Sequence, residues 1–110
     1  MRFFSVLIAA LCLTSASAGA APTWNVTVTT KLPNGAAAAH AFVRMYQLRS
    51  DYTINSLQTK NADASGVTVF KAHSGVCFKG EAGSDASGRP LHVGGACLKG
   101  HEKTLTITLD

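Results

Sequence analysis

No apolar stretch in this 110-residue chain is long enough to cross a bilayer, which takes about 20 helical residues. Phe3 to Leu13 (FFSVLIAALCL) is an apolar run of only eleven residues, and nothing after it approaches that length, so no membrane insertion is expected. Patterned metal ligands are missing too. The histidines His40, His73, His92 and His101 form neither H-x-H nor H-x₃-H, and the three cysteines form no C-x₂-C. There is no G-x-S-x-G and no ordered Ser/His/Asp context for a nucleophile, and no glycine-rich phosphate loop opens a helix. A nucleic-acid binder shows a basic stripe with interleaved aromatics. Here the cations from Lys31 through Arg44, Lys60, Lys79 and Arg89 to Lys103 are scattered. No internal repeat is evident. These absences predict no catalytic residue, no cofactor, no resident metal and no nucleic-acid partner.

What is present begins with an export signature. Met1-Arg2 is a short basic start, the apolar run follows, and Ser15 to Ala20 is a small-residue stretch with cleavage choices after Ala18 or Ala20. Residues 1–20 are therefore expected to be a signal peptide, and 22–110 a single secreted, extracellular domain. Without Arg2, nine cations face six carboxylates, leaving a mature net charge of +3. Cys12 leaves with the signal, and the remaining pair, Cys77 and Cys97, reads as one disulfide in an oxidising compartment. It closes a loop of 19 intervening residues. The chain-entropy model assigns such a loop about 3 kcal/mol, a large share of the stability of a domain this small.

The dominant hydrophobic period is two. Trp24 to Thr29 alternates apolar and polar, and Lys103 to Leu109 does so more cleanly, with Leu105, Ile107 and Leu109 inward and Thr104, Thr106 and Thr108 outward. Threonine suits a pleated, solvent-facing surface and is a poor helix former. Ala41 to Leu48 (AFVRMYQL) is apolar on both faces, as in a strand well inside a sheet. Leu32-Pro-Asn-Gly35 and Asn61 to Gly66 are turns. Ala36 to Ala39 is too short for a helix and reads as a tight connection or the start of the following strand. Arg49 to Lys60 reads as a polar loop, with room for one short strand, and Gly80 to Pro90 as a mobile loop. Val76 and Phe78 turned inward leave Cys77 outward, whereas Leu91 and Val93 turned inward carry Cys97 with them. Joining the two sulfurs then requires an irregularity at Gly94-Gly95. Turn signals every 8–12 residues between short strands predict an all-β fold: a small antiparallel β-sandwich of six to eight strands, immunoglobulin- or transthyretin-like, with one disulfide.

The order of Trp24 to Thr29, AFVRMYQL, NADASGVTVF and SGVCFKGEA resembles the transthyretin-like and carboxypeptidase-regulatory-like sandwiches, over about 60 of the mature residues. The strand Val43-Arg44-Met45-Tyr46-Gln47-Leu48 is similar to one in the 5-hydroxyisourate hydrolases of that fold. The activity does not carry over: the Tyr-Arg-Gly-Ser tail of that family is replaced by Leu105 to Asp110, and the early strand has no His. In size and class the chain is also similar to small secreted effector proteins of plant-associated fungi.

Such a sandwich is expected to be a non-enzymatic binding module acting on a host protein or a cell-wall glycan. Recognition is expected on its two longest irregular segments, through Arg49, Asp51, Tyr52, Asn55 and Lys60 in one, and Glu81, Asp85 and Arg89 in the other. The alternatives are a small secreted hydrolase or metal-binding protein using His73 and His92, and a wall-associated structural protein acting through an exposed edge strand. Asn25-Val26-Thr27 is an N-glycosylation sequon with Asn25 on the outward face.

Overall fold

A computed structural model of the chain describes residues 22–110, so the signal peptide, its cleavage choices and Cys12 lie outside the described residues. Seven strands run β1 (Trp24–Lys31), β2 (Phe42–Leu48), β3 (Ile54–Asn61), β4 (Val67–Ala72), β5 (Cys77–Ala82), β6 (His92–Cys97) and β7 (Thr104–Thr108). They form two sheets, ordered β4-β1-β7 and β3-β2-β5-β6. The fold is all-β and two-layered, as the alternating sequence predicts. Every pairing is antiparallel except β1 with β7. A parallel pair cannot be closed by a tight hairpin. Here the whole intervening domain serves as the crossover.

Alternation sets the faces. Val26, Val28 and Thr30 of β1 are buried, as are Phe70 of β4 and Ile107 of β7, while Thr104, Thr106 and Thr108 face solvent. Against them sheet β3-β2-β5-β6 buries Val43, Met45 and Phe78, and the Phe70 and Phe78 rings meet across the core at 5.1 Å, tilted by 58°. The Thr30 hydroxyl is buried without a hydrogen-bond partner among the described residues. Strand β2 is interior, as its two apolar faces predict: Val43 and Met45 point into the core and Phe42, Arg44 and Tyr46 lie half-buried on the outer face.

Three expectations are corrected. Arg49 to Lys60 is mostly the eight-residue strand β3. It occupies a sheet edge and six of its last seven side chains are exposed, so neither face carries the apolar alternation by which strands are recognised. Gly80 to Pro90 is not a loose loop: Gly80 to Ala82 completes β5, and Asp85 to Arg89 is a tightly hydrogen-bonded turn. Gly94-Gly95 carries no register break. The β5–β6 ladder is regular from Ala82↔His92 to Cys77↔Cys97, and the cysteines are directly opposed and disulfide-bonded. The inward assignment of Leu91 and Val93 was the error, since they share the outer face with Cys97. A Cβ on Gly94 would collide with the Thr108 carbonyl, so this glycine marks where the end of β7 crosses β6. The irregularity sits elsewhere, as a bulge between Met45 and Tyr46 that leaves Leu57 as the extra residue of β3.

Candidate functional site

Four connections share one geometry, a type I turn closed by a residue at positive φ. In each, the first residue accepts a hydrogen bond from the fourth and donates to the fifth. They are Leu32–Ala36, Arg49–Thr53, Asp63–Val67 and Asp85–Arg89, with backbone N···O distances between 2.8 and 3.1 Å. Two carry the same tetrapeptide, Asp63-Ala-Ser-Gly66 and Asp85-Ala-Ser-Gly88, a local recurrence within a chain that has no larger repeat. In both, the Asp Oδ1 accepts the N–H groups of the third and fifth residues at 2.8 and 3.0 Å. The fourth position requires a left-handed conformation, and Gly35, Gly66 and Gly88 occupy it at φ 88°, 75° and 87°.

The remaining turn has no glycine there. Tyr52 holds φ 67° and is 82% exposed at the tip of the β2–β3 hairpin. A β-carbon in that region costs about 1 kcal/mol or more relative to glycine. The turn is held by Asp51, whose Oδ1 accepts from the Thr53 hydroxyl at 2.6 Å and the Thr53 N–H at 3.1 Å. Those bonds keep the Asp51 carboxyl below the usual carboxylate range, the hydroxyl being the largest cause. Arg49 Nη2 donates to Asn55 Oδ1 at 3.3 Å across the hairpin base.

Behind this polar turn the flanking strands leave apolar side chains exposed. Leu48 and Ile54 are cross-strand partners, 50% and 56% exposed, and Leu57 at the bulge is 40% exposed. Only Val69 and Leu91 among the described residues are other large hydrophobic side chains left so open. The outer face of β2 continues the patch inward from Leu48 through Tyr46, which lies opposite Cys77 and the disulfide, to Arg44 and Phe42.

Of the residues expected at binding loops, Arg49, Asp51 and Tyr52 share this tip, whereas Asn55 and Lys60 belong to β3. Lys60 turns back: its Nζ donates to the Val69 carbonyl at 2.6 Å and lies 5.2 Å from the Phe70 ring centre. Glu81 is on β5, paired with Lys79 at 3.3 Å. Asp85 and Arg89 close the β5–β6 turn on each other at 3.4 Å, and Asp85 is lowered chiefly by the Ser87 hydroxyl. Leu48, Ile54 and Leu57 were not anticipated. The available signal was the segment Arg49-Ser-Asp-Tyr-Thr53, which sets Tyr where the two Asp-Ala-Ser-Gly turns set Gly.

The structure does not bring His73 and His92 together. His92 pairs with Ala82 at one end of β5, and His73 precedes Cys77 at the other. The five residue steps between those ends span about 16 Å. Each ring nitrogen instead meets a carbonyl, Ser74 for His73 at 3.0 Å and Asp110 for His92 at 2.7 Å. Among the described residues no group of three or more His, Cys, Asp or Glu is placed to hold a metal ion. His101 packs tilted against Trp24, 4.6 Å between ring centres, and the Glu102 carboxylate accepts from Lys99 and Gly100 N–H, which ties a β6–β7 turn that stays exposed at Lys99, His101 and Lys103. Asn25 is exposed on the outer face of β1, opposite Lys71. No helix among the described residues is long and apolar enough to cross a membrane. Neither a protein-family model nor a curated protein matches the sequence.

Proposed function

We propose that this is a secreted, non-enzymatic interaction module of transthyretin-like type. In this reading it acts extracellularly on a host protein or a cell-wall glycan and makes contact through the tip of the β2–β3 hairpin. One observation carries the reading: Tyr52 is both conformationally strained and exposed, at a turn whose three counterparts use glycine. Folding alone favours glycine there and favours covering Leu48 and Ile54, so the tyrosine and the exposed Leu48 and Ile54 on the strands beside it are explained by a contact made outside the domain. The two-sheet architecture and the Cys77–Cys97 bridge are compatible with a transthyretin-like sandwich in an oxidising compartment.

The test is Tyr52→Gly. The variant is expected to melt at a higher temperature than the parent while losing retention on immobilised cell-wall glycans or extracellular host proteins. Retention equal to the parent's, or a fall in melting temperature, overturns the assignment of Tyr52 as the contact residue.

A further inference from the structure

We infer that β3 is a dimerisation edge, on which a second copy of the chain adds its own β3 antiparallel to form one continuous eight-stranded sheet. Two of the other sheet borders, β6 and β4, are partly occupied at their outer sides. At the β6 side the Asp110 N–H donates to the Val93 carbonyl at 3.0 Å and the Val93 N–H to Asp110 Oδ1 at 2.8 Å. On β4 the Val69 carbonyl takes the Lys60 ammonium. Residues 54–61 make backbone–backbone hydrogen bonds only to β2 among the described residues, which leaves one side of an eight-residue strand with open donors and acceptors. Edges are usually guarded by charge. The single charged residue of β3 is Lys60, and its ammonium is drawn away to Val69 and the Phe70 ring.

The bulge explains why the occupant is a second copy. A regular eight-residue strand paired with itself over its full length would set every outward side chain opposite an inward one. In β3 the extra residue Leu57 shifts the alternation halfway along. Ile54, Ser56, Thr59 and Asn61 therefore share the outer face, opposite Leu48, Tyr46, Arg44 and Phe42, while Asn55, Gln58 and Lys60 share the inner one. The three residues at each end, Ile54 to Ser56 and Asn61 to Thr59, carry the same faces when read toward the middle, with Leu57 and Gln58 between them. A two-fold pairing centred between Leu57 and Gln58 sets Ser56 opposite Thr59 of the second copy, Ile54 opposite Asn61, and Asn55 opposite Lys60. Hydroxyl meets hydroxyl, and no cation faces a cation. The two Tyr52 tips then project from opposite ends of the joined strands, whatever each of them contacts.

Sedimentation equilibrium of the secreted protein, from micromolar to millimolar concentration, tests this. A reversible monomer–dimer equilibrium is expected. The double variants S56K/T59K and S56E/T59E each set like charges opposite one another and should weaken dimerisation on the order of tenfold. Their circular dichroism should match the parent's, and an equimolar mixture of the two should restore the dimer through opposite charges. A monomer throughout, a dimer indifferent to both variants, or a mixture that fails to recover overturns the inference.

Discussion

The two hairpins of the four-stranded sheet, β2–β3 and β5–β6, are closed by the same turn and differ in what is attached to it. At β5–β6 the left-handed position is Gly88, and Asp85 collects the N–H groups of Ser87 and Arg89. The opposite end of that ladder is bonded through Cys77–Cys97, and Gly94 lets the end of β7 cross in contact. At β2–β3 the same position is Tyr52, the strand beyond it is exposed, and its outer edge is open. A domain of about 90 residues has limited core, so the stapled hairpin supplies rigidity that the other one does not. The difference separates what holds the fold together from what the fold presents.

The largest effect should come from removing the staple. Cys77→Ser with Cys97→Ser is expected to lower stability by about 3 kcal/mol in denaturant unfolding. A loss well below that would mean the β5–β6 half is held by its packing, and the contrast between the hairpins would shrink. Next is Gly94→Ala, expected to cost about 2 kcal/mol because the new methyl group meets the Thr108 carbonyl, with a thermal melt as readout. An unchanged melt would show that β7 yields there without strain.

Smaller, and aimed directly at the comparison, is an exchange of the tips. Tyr52→Gly should gain about 1 kcal/mol and Gly88→Tyr should lose about as much, since both alter the cost of a β-carbon at positive φ. Equal melting temperatures for the two variants would break the argument that Tyr52 is strained. The smallest effect is on pH. Asp51 and Asp85 are both lowered by bonds that exist only in the folded turns, the hydroxyls of Thr53 and Ser87 first. The order they contribute is therefore complete above the usual carboxylate range and lost as pH falls through their lowered folded values. Protection of the Thr53, Ser87 and Arg89 amides, corrected for intrinsic exchange, should fall in that acidic range. Loosening of one tip alone would show that the turns do not share their chemistry.

Much of this architecture was legible because one buried face leaves a period-two trace. The inward sets Val26/Val28 and Ile107/Leu109 read correctly for that reason, whereas β2, apolar on both faces, did not show which face is inward. Strand β3 was not legible, because an edge strand with both faces wet has no such trace. Leu91 and Val93 misled because apolar side chains were equated with inward ones, although half-exposed valines are ordinary on a sheet face. At the candidate site, Arg49, Asp51 and Tyr52 were marked by their place in a polar segment. The strain at Tyr52 became visible only beside the three glycine turns, and Leu48 and Ile54 only once their shared row was set by the β2–β3 register.

The sequence alone determined the class of fold and most strand positions, because alternation and turn chemistry act locally, and it pointed to Cys77 and Cys97, the two cysteines of residues 22–110, as the bonded pair. Tertiary structure alone decided that β1 and β7 run parallel, that Gly94 serves a crossing strand, that the bulge falls at Leu57, and that β3 is an edge. Each of those depends on which segments become neighbours across the sandwich, and neither hydrophobic period nor turn propensity encodes that.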